Sequence, residues 1–397
     1  MPEPVIIVGA AMGGLRTAES LRRAGYTGQL QLIGDEVHAP YNRPPLSKDV
    51  LSAGVSHEAV AFPSRAETAD VEWMLGHSVT RANLNHRTVH TADGSEHAYR
   101  ALVVATGLRP RRLDAEPGSN THAVRSLDDA MALRDELVPA ARVVVVGSGF
   151  LGCELAATAT KLGCVVTVVT PSLEPMIRPL GEVLARQLRG RLEAEGVTFV
   201  LGATVAMVDG GVSVGEGTVI PADVIIEAIG SDCNSHWLAE SGLDLSDGVL
   251  ADNALRAVAV DGTTRDDVYV VGDIARFPNP MFDAVPRRVE HWNIPTDTGK
   301  RAGAVLAAYL AGDVESAAAT PFAPMPSFWS NQFDIKLQAY GLPGLGDEAR
   351  ILEGDLHAEV AMGYFRDDRL VGVVGVGLKA ALLPYRQRIA EFAAAQP

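Results

Sequence analysis

Two stretches of this sequence place glycines where an apolar strand gives way to a helix, an arrangement able to hold a dinucleotide. In PVIIVGAAMGG, from Pro4 to Gly14, the run of β-branched residues leads into Gly9, Ala11, Gly13 and Gly14, and a helical stretch follows to Gly25. In ARVVVVGSGFLG the run leads into Gly147, Gly149 and Gly152, ahead of CELAATATKLG. Such a turn leaves backbone N–H groups unpaired at the positive end of a helix, and the glycines let the backbone come close to a pyrophosphate. One match of this kind would also fit a purely structural strand–helix turn. Two matches in one chain, each between a strand and a helix, predict two dinucleotide sites.

The two copies are unequal. In the first, Ala11 stands where the middle glycine belongs, so a methyl group meets the closest approach to phosphate. Either the loop shifts slightly or the ligand is held less tightly. The strand QLQLIG then ends on Asp35 and Glu36, either of which can hold an adenosine ribose through its hydroxyls. The second copy offers neutral Thr170 at the matching strand end. That removes both the usual carboxylate ligand of NADH and the usual repulsion of the NADPH 2′-phosphate. Arg178 is close enough in sequence to serve either coenzyme, so the preference stays open.

These turns need sheets behind them. An Asp93-Gly94 hairpin and the strand ALVV, running into Ala105, Thr106 and Gly107, separate the copies. After the second copy a hairpin-like region (residues 197–220) leads to ADVIIEAIG, ending at Gly230. DDVYVVGD ends in Gly272-Asp273, and TDTGKRAGAVLAAYLAG reads as a long helix returning the chain to the first unit. From about Pro321 the sequence is a meander of aromatic and β-branched stretches with one closing helix. The expectation is an α/β protein: two Rossmann-like dinucleotide-binding domains, residues 1–112 with 249–318 and residues 113–248, plus a small α+β domain over 319–397.

A chain of 397 residues with 47% hydrophobic and 21% charged residues has the balance of a soluble enzyme with several cores. Its apolar runs are strand-sized, far short of the roughly 20 residues that span a bilayer. The N-terminus enters a strand with no secretory pattern, which predicts a cytoplasmic protein. A net charge of −15 disfavours nucleic acid and anionic membranes as partners. Cys153, Cys164 and Cys233 have neither CxxC spacing nor a metal-ligand pattern, so they are expected to be reduced and no metal is predicted.

Seven stretches spread over essentially the whole chain carry a likeness: PYNRPPLSK (40–48), ATGLRPR (105–111), VRSLDDA (124–130), VVGSGFLGCELA (145–156), VVGDIARF (270–277), RRVEHWN (287–293) and SFWSNQFDIKLQAYG (327–341). With them the chain resembles the flavoprotein ferredoxin reductases that serve bacterial cytochromes P450 and Rieske-type oxygenases, within the glutathione-reductase-like fold. The resemblance implies FAD in the first copy and NAD(P)H in the second. It places Lys48 beside the flavin N5 edge, paired with Glu154, as the catalytic couple. A cation there would stabilise charge on a reduced flavin.

The same likeness assigns Arg43 to FAD, Asp273 to the ribityl chain, and Arg125 to the phosphate or ribityl region. Thr106, Gly107 and the backbone at Val79 go to the adenine half, Ala105 to FAD, and Glu290, His291 and Trp292 to the isoalloxazine. On the nicotinamide side it implies Gly147, Gly149, Phe150, Leu151, Gly152, Glu154, Thr170, Arg178 and Gly230. Two departures stand out: Cys233 replaces the usual proline, and Phe150 replaces the expected tyrosine, whose ring can still gate the nicotinamide.

The family's disulfide reductases, peroxidases and oxidases carry reactive cysteine just before the segment PYNRPPLSK, and here no cysteine precedes Cys153. Electrons are therefore expected to go from flavin to an external acceptor. The implied partner is an acidic iron-sulfur ferredoxin and, through it, an oxygenase. The clustering of Arg287, Arg288, Lys300 and Arg301 makes them candidate docking contacts, with Trp329 nearby by resemblance. Rival readings are an NAD(P)H oxidase or reductase of oxygen, a quinone or a small substrate, and a redox sensor like the apoptosis-inducing factors.

Overall fold

The computed structural model describes residues 3–114, 120–215 and 217–394. Val5–Val8, buried at every position, pairs in parallel with Leu30–Gly34 on one side and Ala101–Val104 on the other. Continuous apolar strands of this kind belong at the centre of a sheet covered on both faces. Glu72–Leu75 extends one edge in parallel. On the other side, Thr264–Val270 pairs in parallel with Ala101–Val104, and Arg256–Val258 forms an antiparallel edge. The first sheet is thus finished only after the second copy has been built.

The second copy repeats the plan. Arg142–Val146 lies between Val165–Thr170 and Val224–Glu227, with Thr198–Leu201 and Thr121–His122 at the edges, all parallel. The hairpin-like region is a three-stranded antiparallel sheet of Val205–Val208, Gly211–Val214 and Thr218–Pro221. Its preceding strand, Thr198–Leu201, belongs instead to the parallel sheet. The two units are joined by Leu108–Pro110 and Ser231–Cys233, which pair with each other antiparallel.

Helix packing fixes the first turn. Helix Met12–Arg23 lies against helix Ile294–Ala311 at the glycines Gly299 and Gly303. A Cβ at Gly299 would come 2.9 Å from the Gly13 carbonyl oxygen, and one at Gly303 would come 2.6 Å from Ser20 Cβ. Ser20 Oγ donates to the Lys300 carbonyl at 2.7 Å across this seam.

The C-terminal sheet is antiparallel, in the order Ser327–Gln332, Ile335–Gly341, Arg369–Val376, Val360–Arg366, Glu348–Gly354. Leu382 and Ile389 of helix Leu382–Ala394 pack on Val371 and Val373. Among the described residues no helix is long and apolar enough to cross a membrane.

Candidate functional site

Both glycine turns have the same internal reason for glycine. Gly9 (φ +114°) and Gly147 (φ +103°) cross the carbonyls of Ala105 and Ala228, and an added Cβ would stand 2.2 and 2.3 Å from those oxygens. A Cβ at Gly14 or Gly152 would lie 2.1 or 2.2 Å from the carbonyl oxygen of Gly9 or Gly147. The middle positions differ from these. Ala11 caps its helix at φ −97°, ordinary for an L residue, and its counterpart Gly149 has φ −69° and open space around an added Cβ. The Ala11 methyl therefore costs the protein nothing and is felt only by a ligand.

Two cavities meet at the first turn. One holds about 860 Å³ of empty space between Gly9 and Ala11, the acid pair Asp35 and Glu36, Val79, and Thr106. His77, Asn234, His236 and Trp237 also line it, and sequence reasoning missed these four. The other, about 1410 Å³ and open to solvent, is lined by Gly13, Lys48, Gly107, Arg125, Asp273 and Glu290. Its far wall is His291, Trp292, Phe328 and Trp329, with Phe150, Leu151 and Glu154 from the second-copy helix. Ala11, Tyr41, Arg43 and Ala105 line both cavities. Gly107, expected with the adenine half, lines the second cavity, because its left-handed φ of +60° carries the chain past Thr106 toward Arg125.

The junction is polar and cross-linked. Glu36 accepts from Tyr41 Oη and Arg43, while Asp35 is solvent-exposed at the cavity edge. Arg43 also donates to the Arg125 carbonyl, and the Arg125 guanidinium lies 3.6 Å from Asp273. Burial pushes the Asp273 carboxyl above its usual range, with Arg125 opposing the shift. Gly272 N donates to Thr298 Oγ1 at 2.9 Å, anchoring the Gly-Asp turn on the long helix.

Lys48 and Glu154 are paired as expected. The short helix Pro44–Ser47, opened by its two prolines, delivers Lys48, and Ser47 Oγ donates to Glu154 Oε2 at 2.7 Å. Ser330, from the C-terminal sheet, donates to Glu154 Oε1 at 2.7 Å. Ser47 and Ser330 were missed. The signal for Ser330 is the alternation in SFWSNQ, which turns Phe328, Ser330 and Gln332 inward together. Phe150 packs against Phe328 with ring centroids 4.9 Å apart and planes tilted by 47°, and His291 meets the same ring at 4.8 Å. Burial pushes the His291 imidazole down to about 4, and its Nδ1 is buried with no partner among the described residues. Trp292 and Trp329 meet edge-on at 5.4 Å, and Trp292 Nε1 donates to Asn42.

On the second-copy strand end, Thr170 is buried. Its hydroxyl accepts from Ser148 Oγ at 3.0 Å and from the Ser172 amide at 3.2 Å. The next carboxylate along the chain, Glu174, is held by Arg186 and Arg189 at 3.1 and 2.7 Å. Arg178 is exposed in the first turn of helix Ile177–Ala194, without an ion pair among the described residues. Gly230 takes φ +102° just beyond Val224–Glu227.

The basic cluster expected to dock a partner is largely self-neutralised. Arg287 pairs with Asp283, and Arg288 pairs with Asp247 and Glu290 at 2.7 and 2.8 Å. Arg301 is turned inward to the carbonyls of Ala317, Ala318 and Thr320. Lys300 is the exposed cation of the four. Sequence proximity counted the cations without the acids that fold onto them.

Residues 3–299 match the family model described as pyridine nucleotide-disulphide oxidoreductase, and residues 327–397 match one described as reductase C-terminal. The chain belongs to the pyridine nucleotide-disulphide oxidoreductase family. This oxidoreductase is 34% identical over 387 residues to the chlorobenzene dioxygenase ferredoxin reductase component of Cupriavidus sp., covering 95% of this chain and 90% of that one. It is 31% identical to the rubredoxin-NAD(+) reductase of Pseudomonas putida, covering 94% and 96%. Its structure superposes on the reductase fold in the covalent putidaredoxin reductase–putidaredoxin complex with a TM-score of 0.88, at 28% identity, covering 98% and 93%. Although the family takes its name from disulphide chemistry, no cysteine lines either cavity. Cys153 is fully buried in its helix, burial pushes its thiol up to about 12, and Cys233 is half-buried on the joining strand.

Proposed function

We propose that this oxidoreductase is an FAD-dependent NAD(P)H:ferredoxin reductase, passing single electrons to an iron-sulfur ferredoxin that serves an oxygenase. One observation carries the reading: the two cavities join at Arg43 and the glycine turn, and the larger one ends against the second dinucleotide helix at Phe150 and Glu154. A dinucleotide laid along them would set its pyrophosphate at a helix N-terminus beside a cation. The orphaned His291 Nδ1 and the cradle at Gly9 and Gly14 fit such a group. FAD, when bound, accepts a hydride from NAD(P)H and returns electrons one at a time.

The chain's own residues do the rest. Arg43 offsets pyrophosphate charge, and Glu36 with Asp35 takes the adenosine ribose. Asp273 and Arg125 hold the ribityl segment, while Glu290, His291 and Trp292 border the ring system. Lys48, steadied by Glu154, would hold a cation at the wall of the larger cavity, where it could offset negative charge on a bound ring system. Gly147, Gly149 and Gly152 receive the nicotinamide dinucleotide, and Phe150 moves off the site when the nicotinamide arrives. The domain division is read as 1–112 with 249–318 for FAD, 113–248 for NAD(P)H, and 319–397 as the C-terminal domain. The three unpaired cysteines accord with a cytoplasmic location.

The test is steady-state NADH oxidation with and without an added [2Fe–2S] ferredoxin, with oxygen uptake followed in parallel. The reading expects ferredoxin reduction to account for most of the NADH consumed. Oxygen uptake that matches NADH oxidation whether or not ferredoxin is present would make the protein an oxidase instead.

A further inference from the structure

A buried polar chain runs from the proposed catalytic couple into the C-terminal sheet and back to the second glycine turn. Glu154 uses both carboxylate oxygens: Oε2 takes Lys48 Nζ and Ser47 Oγ, and Oε1 takes Ser330 Oγ. Ser330 is completely buried, and its oxygen also accepts from Gln332 Nε2 at 3.0 Å. A hydroxyl has one hydrogen. With its oxygen engaged as the Gln332 acceptor, Ser330 has that hydrogen left to give to Glu154. Gln332 Nε2 also reaches Met176 Sδ at 3.3 Å, and the Met176 amide donates to the carbonyl of Ser148 in the second glycine turn at 2.8 Å. Two positions before Ser330 on the same strand face, Phe328 carries the Phe150 ring. Phe150 and Glu154 are themselves one helical turn apart on the facing helix.

We propose that Ser330 is a positioning residue for hydride transfer: it fixes the rotation of the Glu154 carboxylate, and through it the place of Lys48 Nζ at the flavin end of the larger cavity. This rests on the flavin reductase reading above. A carboxylate anchored at one oxygen can swing about its terminal torsion, and Lys48 would swing with it. The network also carries a cost. Gln332 Oε1 is buried without a partner among the described residues, so its desolvation is not offset by a hydrogen bond. An apolar residue at 332 would avoid that cost. A polar network kept at the expense of stability is the pattern of a functional constraint rather than of core packing.

The experiment compares Ser330→Ala, Ser330→Thr and Ser330→Cys in the FAD-loaded full chain, by stopped-flow flavin reduction at saturating NADH and by visible circular dichroism of the bound flavin. The expected order of reduction rates is wild type and threonine, then cysteine, then alanine, with alanine at least about tenfold slower. The NADH dissociation constant should be unchanged within twofold. The flavin dichroism of the alanine variant should change before any donor is added, and this readout does not depend on the enzyme's electron source or acceptor. If alanine and cysteine reduce within twofold of wild type and their flavin dichroism is unaltered, Ser330 does not position the couple. The positioning role is equally overturned if the only defect is a lower flavin content, with the loaded fraction reducing at the wild-type rate. Failure of wild-type flavin to be reduced by NADH or NADPH would instead strike at the reductase reading, leaving the dichroism comparison to decide on Ser330.

Discussion

Ala11 and Thr170 are single substitutions in otherwise intact dinucleotide turns, and their surroundings give them different consequences. Because Ala11 has an ordinary φ, its methyl acts only on a ligand. Ala11→Gly should therefore leave folding unchanged and tighten FAD binding by about 1 kcal/mol, a few-fold in the dissociation constant measured by flavin fluorescence. Thr170 leaves the ribose end without a free carboxylate, since its own hydroxyl is tied to Ser148 and Glu174 to two arginines. Thr170→Glu should raise the ratio of kcat/KM for NADH over NADPH by about tenfold or more, and an unchanged ratio would place the ribose elsewhere. His291 is a third case. Its folded pKa of about 4 lies below the ordinary 6.5, so the unfolded chain holds more protons between those values. Stability should fall as pH drops through that window. His291→Gln should flatten the decline, read as melting temperature against pH.

At the level of elements, glycine decides whether two helices can meet. Gly303→Leu would drive a side chain into Ser20 and the backbone of Thr17, separating the first-copy helix from the long one. The expected loss is about 1–3 kcal/mol in urea unfolding. Gly190 lies exposed inside helix Ile177–Ala194 with open space around it, and Gly190→Ala should gain roughly 0.5–1 kcal/mol in the same assay. The glycine turns and their strands were legible in sequence because their causes are local: a carbonyl crossing at Gly9, a helix start three residues on. The set of groups around Glu154 was only half legible. Lys48 and Glu154 were anticipated, but Ser330 arrives from a sheet strand 176 positions away, and no local pattern announces which carboxylate it will meet. The arginine pairings were legible only in part: Arg287 meets Asp283 four positions away, but Arg288 also takes Asp247 from 41 residues upstream and Arg301 its carbonyls from a later helix.

For the whole molecule, the formal charge of −15 has no large counterweight at the expected docking cluster. Long-range attraction should therefore contribute little to meeting an acidic ferredoxin. The second-order rate of ferredoxin reduction should rise, or stay flat, as salt is raised toward 0.15 M, where the screening length is about 8 Å. A steep fall would reveal a basic surface other than the paired arginines. The four tryptophans are also unevenly dealt. Trp237 borders the smaller cavity, Trp292 and Trp329 face each other at the larger, and Trp73 packs against the first core. Each half of the cleft therefore has its own native fluorophore. Quenching in variants that keep only Trp237 or only Trp329 would record, in time, which end of an incoming cofactor is seated first.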